Sequence, residues 1–267
     1  MDRVGAVMGM RLSVSAALFA ALAFNLVFFV QELALVIPKS LLPGVHATLF
    51  HNNHQWVGDA PNIALLQGTG MVADLVVGIV FALLLAGTRR GMGTKLFLFW
   101  MTFQGLYQGL SQVLIGTVLP GNDVGMAMGW LGFGVNAKGV TGIVAVIAMV
   151  GAGVWLADRA IARLGTMAET GSGPGRMGFF FRAVTVPALA AVVLLVPFRE
   201  PRDIVEVVLV PVIVMVSGVI WIQLCAGFAP VSHRPTRPAA PLLAPFIALL
   251  VVLALFQLVL RPGIAFS

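Results

Sequence analysis

Residues able to do chemistry are few, and they crowd into the first half of the chain. The segment "PKSLLPGVHATLFHNNHQWVGDAP" holds His46, His51 and His54 together with Trp56 and Asp59. His51 and His54 are three apart, a spacing that puts two imidazoles on one face of a short helix. Zinc or another borderline divalent metal takes two such imidazoles, a third ligand from elsewhere and a water at an open position. Asp123, in the turn "PGND", is the candidate third ligand. Glu32 is the candidate general base toward a metal-bound water. His233 lies in a Pro-rich stretch far from these residues and is read as unrelated.

A second set is polar but embedded in apolar sequence. Asp74 and Lys138 each interrupt a long apolar run, and helical rise puts both near mid-depth, where they are expected to pair. Such a pair either locks two helices together or couples a transport cycle. Gln104, Gln108 and Gln112 recur every fourth residue beside Tyr107 and Ser111, making one polar stripe. That stripe cannot face lipid, so it either bonds neighbouring helices or walls a hydrated cavity. Gly105 and Gly109, like Gly125 and Gly129, have the small-xxx-small spacing of close helix packing.

The elements that must hold these residues are transmembrane helices. Of 267 residues, 60% are apolar and 10% charged, and the mean hydropathy is +1.02, which excludes a water-soluble globule. A hydrocarbon core of about 30 Å needs about 20 apolar residues per helix. Seven runs qualify, approximately 12–37, 63–86, 96–119, 126–157, 179–196, 204–228 and 242–260. The expected fold is an all-α bundle of seven transmembrane helices. Residues 1–163 carry helices one to four with the polar, His-rich face, 164–178 form a flexible cytoplasmic linker, and 179–267 supply three apolar helices. Pro187 and Pro211 fall inside runs and should bend them.

Basic residues sort by side. Arg3, Arg11, Arg89, Arg90, Lys95, Arg159, Arg163, Arg176, Arg182, Arg234 and Arg237 fall on one side, against Lys39, Arg199, Arg202 and Arg261 on the other. The positive-inside rule then puts the N-terminus in the cytoplasm of a bacterial plasma (inner) membrane, with the His-rich loop outside. The net charge of +6 is thus spread over loops, and no nucleic-acid partner is implied. With the single cysteine, Cys225, there is no internal disulfide. No histidine falls inside a run, so no haem between helices is expected.

The order "FVQELAL" around Glu32, then the glycine-bearing "GTGMVADLVVGIVFALLL", then "LPGNDVG" with Asp123, resembles the site-2-type intramembrane metalloproteases. Gln31 and Leu35 stand where that family's motif carries two zinc histidines. The resemblance implies a protease-like scaffold, with His51 and His54 as replacement ligands. Three functional expectations follow. One is an outer-face metal site built from Glu32, His51, His54 and Asp123. Another is a non-catalytic subunit held in the bilayer by other membrane subunits. The third is a transporter using Asp74 and Lys138.

Overall fold

The computed structural model describes residues 3–199 and 209–266. Its architecture is a helical bundle with one small sheet. The long elements are α1 (Arg3–Ser40), α3 (Thr69–Gly87), α4 (Met92–Val118) and α6 (Val135–Leu164). Short helices α2 (Ile63–Leu66), α5 (Asp123–Trp130) and α7 (Met167–Thr170) connect them. A bent rod follows: α8 (Gly173–Phe180), a π-helical turn over Phe181–Thr185, and α9 (Val186–Leu195). Helices α10 (Val210–Cys225) and α11 (Leu243–Leu255) complete the bundle.

Among the described residues, five segments are long and apolar enough to cross a membrane: Val7–Ser40, Ile63–Gly87, Val135–Leu164, Gly173–Phe198 and Leu243–Leu260. The chain is therefore an integral membrane protein. Two of the seven expected runs are not among these five. Helix α4 has the length, but its glutamines lower its hydropathy. Val212–Phe228 is apolar but shorter, and the start of that run, 204–208, lies outside the described residues.

Polarity explains where α4 sits. It packs against α1, α3, α5, α6 and α10, and Gln104, Gln108 and Gln112 are all buried along it. A helix with this stripe is costly in lipid, so apolar neighbours surround it. Glycine permits the closest approach: a Cβ on Gly105 would lie 2.4 Å from the Gly78 nitrogen of α3.

Two expected elements differ. The run 126–157 is not one helix, because the chain turns between α5 and α6 at Gly132, whose φ is +72°. The stretch 164–178, expected as a linker, carries α7 and the start of α8. Ser172 caps α8 by accepting from the Gly175 amide at 3.1 Å, and the Arg237 guanidinium binds both oxygens of Glu169 at 2.6 and 3.0 Å. Pro187 is the second residue of α9, in its first turn just beyond the π-helical turn, where a missing backbone donor is tolerated.

The His-rich segment forms a hairpin, with β1 (His46–Leu49) antiparallel to β2 (His54–Val57). A third strand, β3 (Ile264–Phe266), adds on the other side of β1. Ala47 and Leu49 are buried with Val36, Phe256 and Leu260, which fixes the sheet against the ends of α1 and α11.

Candidate functional site

His54 and Trp56 sit opposite Leu49 and Ala47 in the hairpin register. Directly opposed residues share a face, so the packing that buries Ala47 and Leu49 also turns His54 and Trp56 toward α1. There His54 bridges two charged groups of one helix. Its Nδ1 lies 2.8 Å from Glu32 Oε2 and its Nε2 lies 2.8 Å from Lys39 Nζ. Glu32 and Lys39 are buried and seven residues apart, two turns of α1.

The partners fix how the imidazole is arranged. An ammonium can only donate, so Nε2 accepts from Lys39 and the ring proton sits on Nδ1, donated to the carboxylate. Lys39 also donates to Gln67 Oε1, and its Nζ lies 4.5 Å from the centre of the Trp56 ring. The ammonium thus occupies a small cage of imidazole nitrogen, amide oxygen and indole face. Glu32 uses its other oxygen to accept from Gln31 Nε2 at 3.3 Å.

From Gln31 the network continues inward. Gln112 Nε2 donates to Gln31 Oε1 at 2.8 Å and to Asp74 Oδ2 at 2.9 Å. Asp74 is fully buried, and its Oδ1 finds no hydrogen-bond partner among the described residues. Two carboxylates on different helices are therefore joined through two amides. The glutamine stripe carries on from there: Gln108 Nε2 donates to Gln104 Oε1 at 3.4 Å, and Gln104 Nε2 lies 3.1 Å from Met215 Sδ.

A cavity of about 290 Å³ opens on this network at the hairpin end. Glu32, His54, Trp56, Gln31, Gln112 and Asp123 are on its wall. Asp123 starts α5, whose cap is Asn122, accepting from the Val124 amide at 3.2 Å. Aromatic rings pack between and beside the glutamines along α4, with ring centres 5.0 Å apart for Trp100 and Phe103 and 5.1 Å for Phe103 and Tyr107. The cavity meets the polar interior at the hairpin end.

The structure brings together Glu32, His54 and Asp123, and joins Asp74 to Gln112. His51 differs from its expected place. The segment is a hairpin, so His51 lies buried in its turn and shares no helix face with His54. Both His54 nitrogens already have protein partners, and among the described residues no group of three His, Cys, Asp or Glu side chains is placed to hold a metal. The Asp74–Lys138 pair is not formed. Because the chain turns before Val135, Lys138 falls in the first turn of α6 and not at mid-helix, and Asp74 takes Gln112 in its place.

Three participants escaped sequence reading. Lys39 and Arg199 look like ordinary basic residues at the ends of apolar runs, yet both are buried. Gln67 lies near the start of the apolar run 63–86 with nothing to single it out. Arg199 stacks 4.2 Å from the Phe28 ring centre and 5.3 Å from that of Phe24, while its Nε and Nη2 lack hydrogen-bond partners among the described residues. Burial pushes its guanidinium down to about 10, against the opposing pull of Glu32. Comparison with protein-family models, with curated proteins and with solved structures finds no match to the chain.

Proposed function

We propose that the protein is a proton-coupled transporter of a small polar solute, with the hairpin end facing outside. The single observation that carries this reading is the hydrogen-bonded path from the cavity to Asp74. Its links are His54 to Glu32, Glu32 to Gln31, Gln31 to Gln112 and Gln112 to Asp74. Acids and histidines linked in this way inside a membrane mark proton relays, because an isolated carboxylate there costs several kcal/mol.

Each group has a role in that reading. Amides do not hand on protons, so Gln31 and Gln112 couple the two acids by orientation while water in the cavity carries the proton. A cavity wall that includes Gln112 brings solvent within one side chain of Asp74. At the mouth, a proton arriving on His54 would set a second N–H against the Lys39 ammonium. That clash loosens the contact at Nε2 and with it the cage around Lys39. The solute sits among Asn53, Trp56 and Asp123, all on the same wall.

The test is proton entry into proteoliposomes loaded with a pH-sensitive dye under an imposed membrane potential. Wild type is expected to acidify the lumen well above empty vesicles. Asp74→Asn is expected to abolish the excess, and Glu32→Gln to slow it by on the order of tenfold or more. Equal flux through wild type, Asp74→Asn and empty vesicles would contradict the reading. The competing reading is a divalent metal at the hairpin end, in the manner of a protease-like scaffold, for which His54 and the acids would have to move closer together than they are placed. It requires Lys39 to leave His54, and stoichiometric zinc in the purified wild type would favour it.

A further inference from the structure

One row of α6 changes character in even steps. Gly151, Trp155, Arg159 and Arg163 follow at four-residue intervals, which aligns them along one side of the helix. At the glycine end the row borders a groove of about 500 Å³ between α3, α4 and α6. Its lining is wholly apolar, including Leu75, Ile79, Leu83, Leu110, Gly151 and Trp155. Ile79 and Leu83 are exposed along it, as a lipid-facing surface would be.

At the other end the row becomes cationic. The Arg159 guanidinium lies 5.4 Å from the centre of the Trp155 ring. Arg163 donates to the carbonyls of Ala86, in the last turn of α3, and of Thr88 just past it, and so ties the two helix ends together. The exposed Arg89 and Arg90 follow directly. Among the described residues, the acids at this end are Asp158, 3.5 Å from Arg159 Nε, and Glu169, which is held by Arg237. Positive charge is therefore in excess where the apolar groove ends.

We propose that this groove seats one acyl chain of an anionic phospholipid, whose phosphate is held by Arg159 with Arg89 and Arg90. Inside a bilayer an acyl chain gains little by leaving its neighbours for an apolar groove. Selectivity must therefore come from the headgroup, and basic clusters at the ends of transmembrane helices supply it. A helix of another protein would cover the apolar row but leave the guanidinium row without a counter-charge. The site is independent of the proton path, which opens at the opposite end of the bundle.

Gly151 allows a clean test. A Cβ there meets nothing within 4 Å, so a side chain can start at this position without a backbone clash, and Gly151→Leu extends into the groove against its apolar walls. Purified protein is titrated with phosphatidylglycerol or with phosphatidylcholine of the same chains, reading retained lipid by native mass spectrometry and melting temperature in detergent. Wild type is expected to retain phosphatidylglycerol preferentially. Arg159→Gln should weaken that preference about fivefold. Gly151→Leu should abolish retention while its lipid-free melting temperature stays at or above that of wild type. Equal retention of the two lipids, undiminished retention by Gly151→Leu, or equal stabilisation by soluble glycerol phosphate would each overturn the assignment.

Discussion

Arg199 is the residue whose surroundings make the sharpest statement about energetics. A guanidinium that is 3% exposed, whose Nε and Nη2 lack hydrogen-bond partners among the described residues, has its contacts with Phe24 and Phe28 and the pull of Glu32 to set against desolvation. Its pKa in the folded protein, about 10, lies below the ordinary 12.5. Between these values the unfolded chain holds the proton and the folded one does not, so this group's contribution to stability rises with pH through that window. Below about pH 10 the full cost is present. Arg199→Met is therefore expected to be more stable than wild type at pH 7, by about 1 to 3 kcal/mol, and the gap should narrow above pH 10. Denaturation of both proteins at the two pH values measures it, and a less stable variant at pH 7 would mean that the ring contacts outweigh burial. At this scale the sequence was partly legible. Glu32 and Asp74 stood out because acids are rare in apolar runs, whereas Lys39, Gln67 and Arg199 did not, because a basic residue just past a run, or an amide in its first turns, is ordinary until the fold buries it.

Elements decide which of these residues meet. The hairpin brings His54 to α1, and its signals were present in the sequence. Asn52-Asn53 sits between two short runs rich in β-branched and aromatic residues, and Gly44 and Gly58 bracket them with positive φ. Histidine spacing pointed instead to a helix, and that choice misplaced His51. The fourth run misled for a similar reason. "GWLGFG" is apolar enough to continue a span, but Gly132 adopts a left-handed conformation that ends it and carries Lys138 to a helix start. The close crossing of α3 and α4 sets the Gln112–Asp74 bond. Gly105→Ala would press a methyl against the Gly78 backbone, and since neither backbone can yield locally, the helices must separate. A loss of about 2 to 4 kcal/mol is expected. Gly129→Ala in α5 meets nothing within 4 Å and should gain up to about 1 kcal/mol from helix propensity. Thermal melting of the two variants side by side distinguishes packing from propensity, and equal behaviour would contradict the close crossing.

The whole molecule places its polar groups asymmetrically. A solvent-reaching cavity, two linked acids and a caged ammonium lie at the hairpin end, and arginines crowd the far end. Hydropathy alone made the membrane class legible, since 60% apolar content leaves no other solvent. It could not show that the most polar helix is the central one, because centrality depends on which faces its neighbours cover. The claim on which the functional reading depends is that Asp74 exchanges a proton with the cavity and that Glu32 senses it. Infrared difference spectra of the purified protein between neutral and acidic pH test this directly. A protonated-carboxyl band that is absent in Asp74→Asn, and shifted in Glu32→Gln and in Gln112→Leu, is the expected result. A spectrum unchanged by Asp74→Asn would show that the buried acid takes no part, and would contradict the proton path.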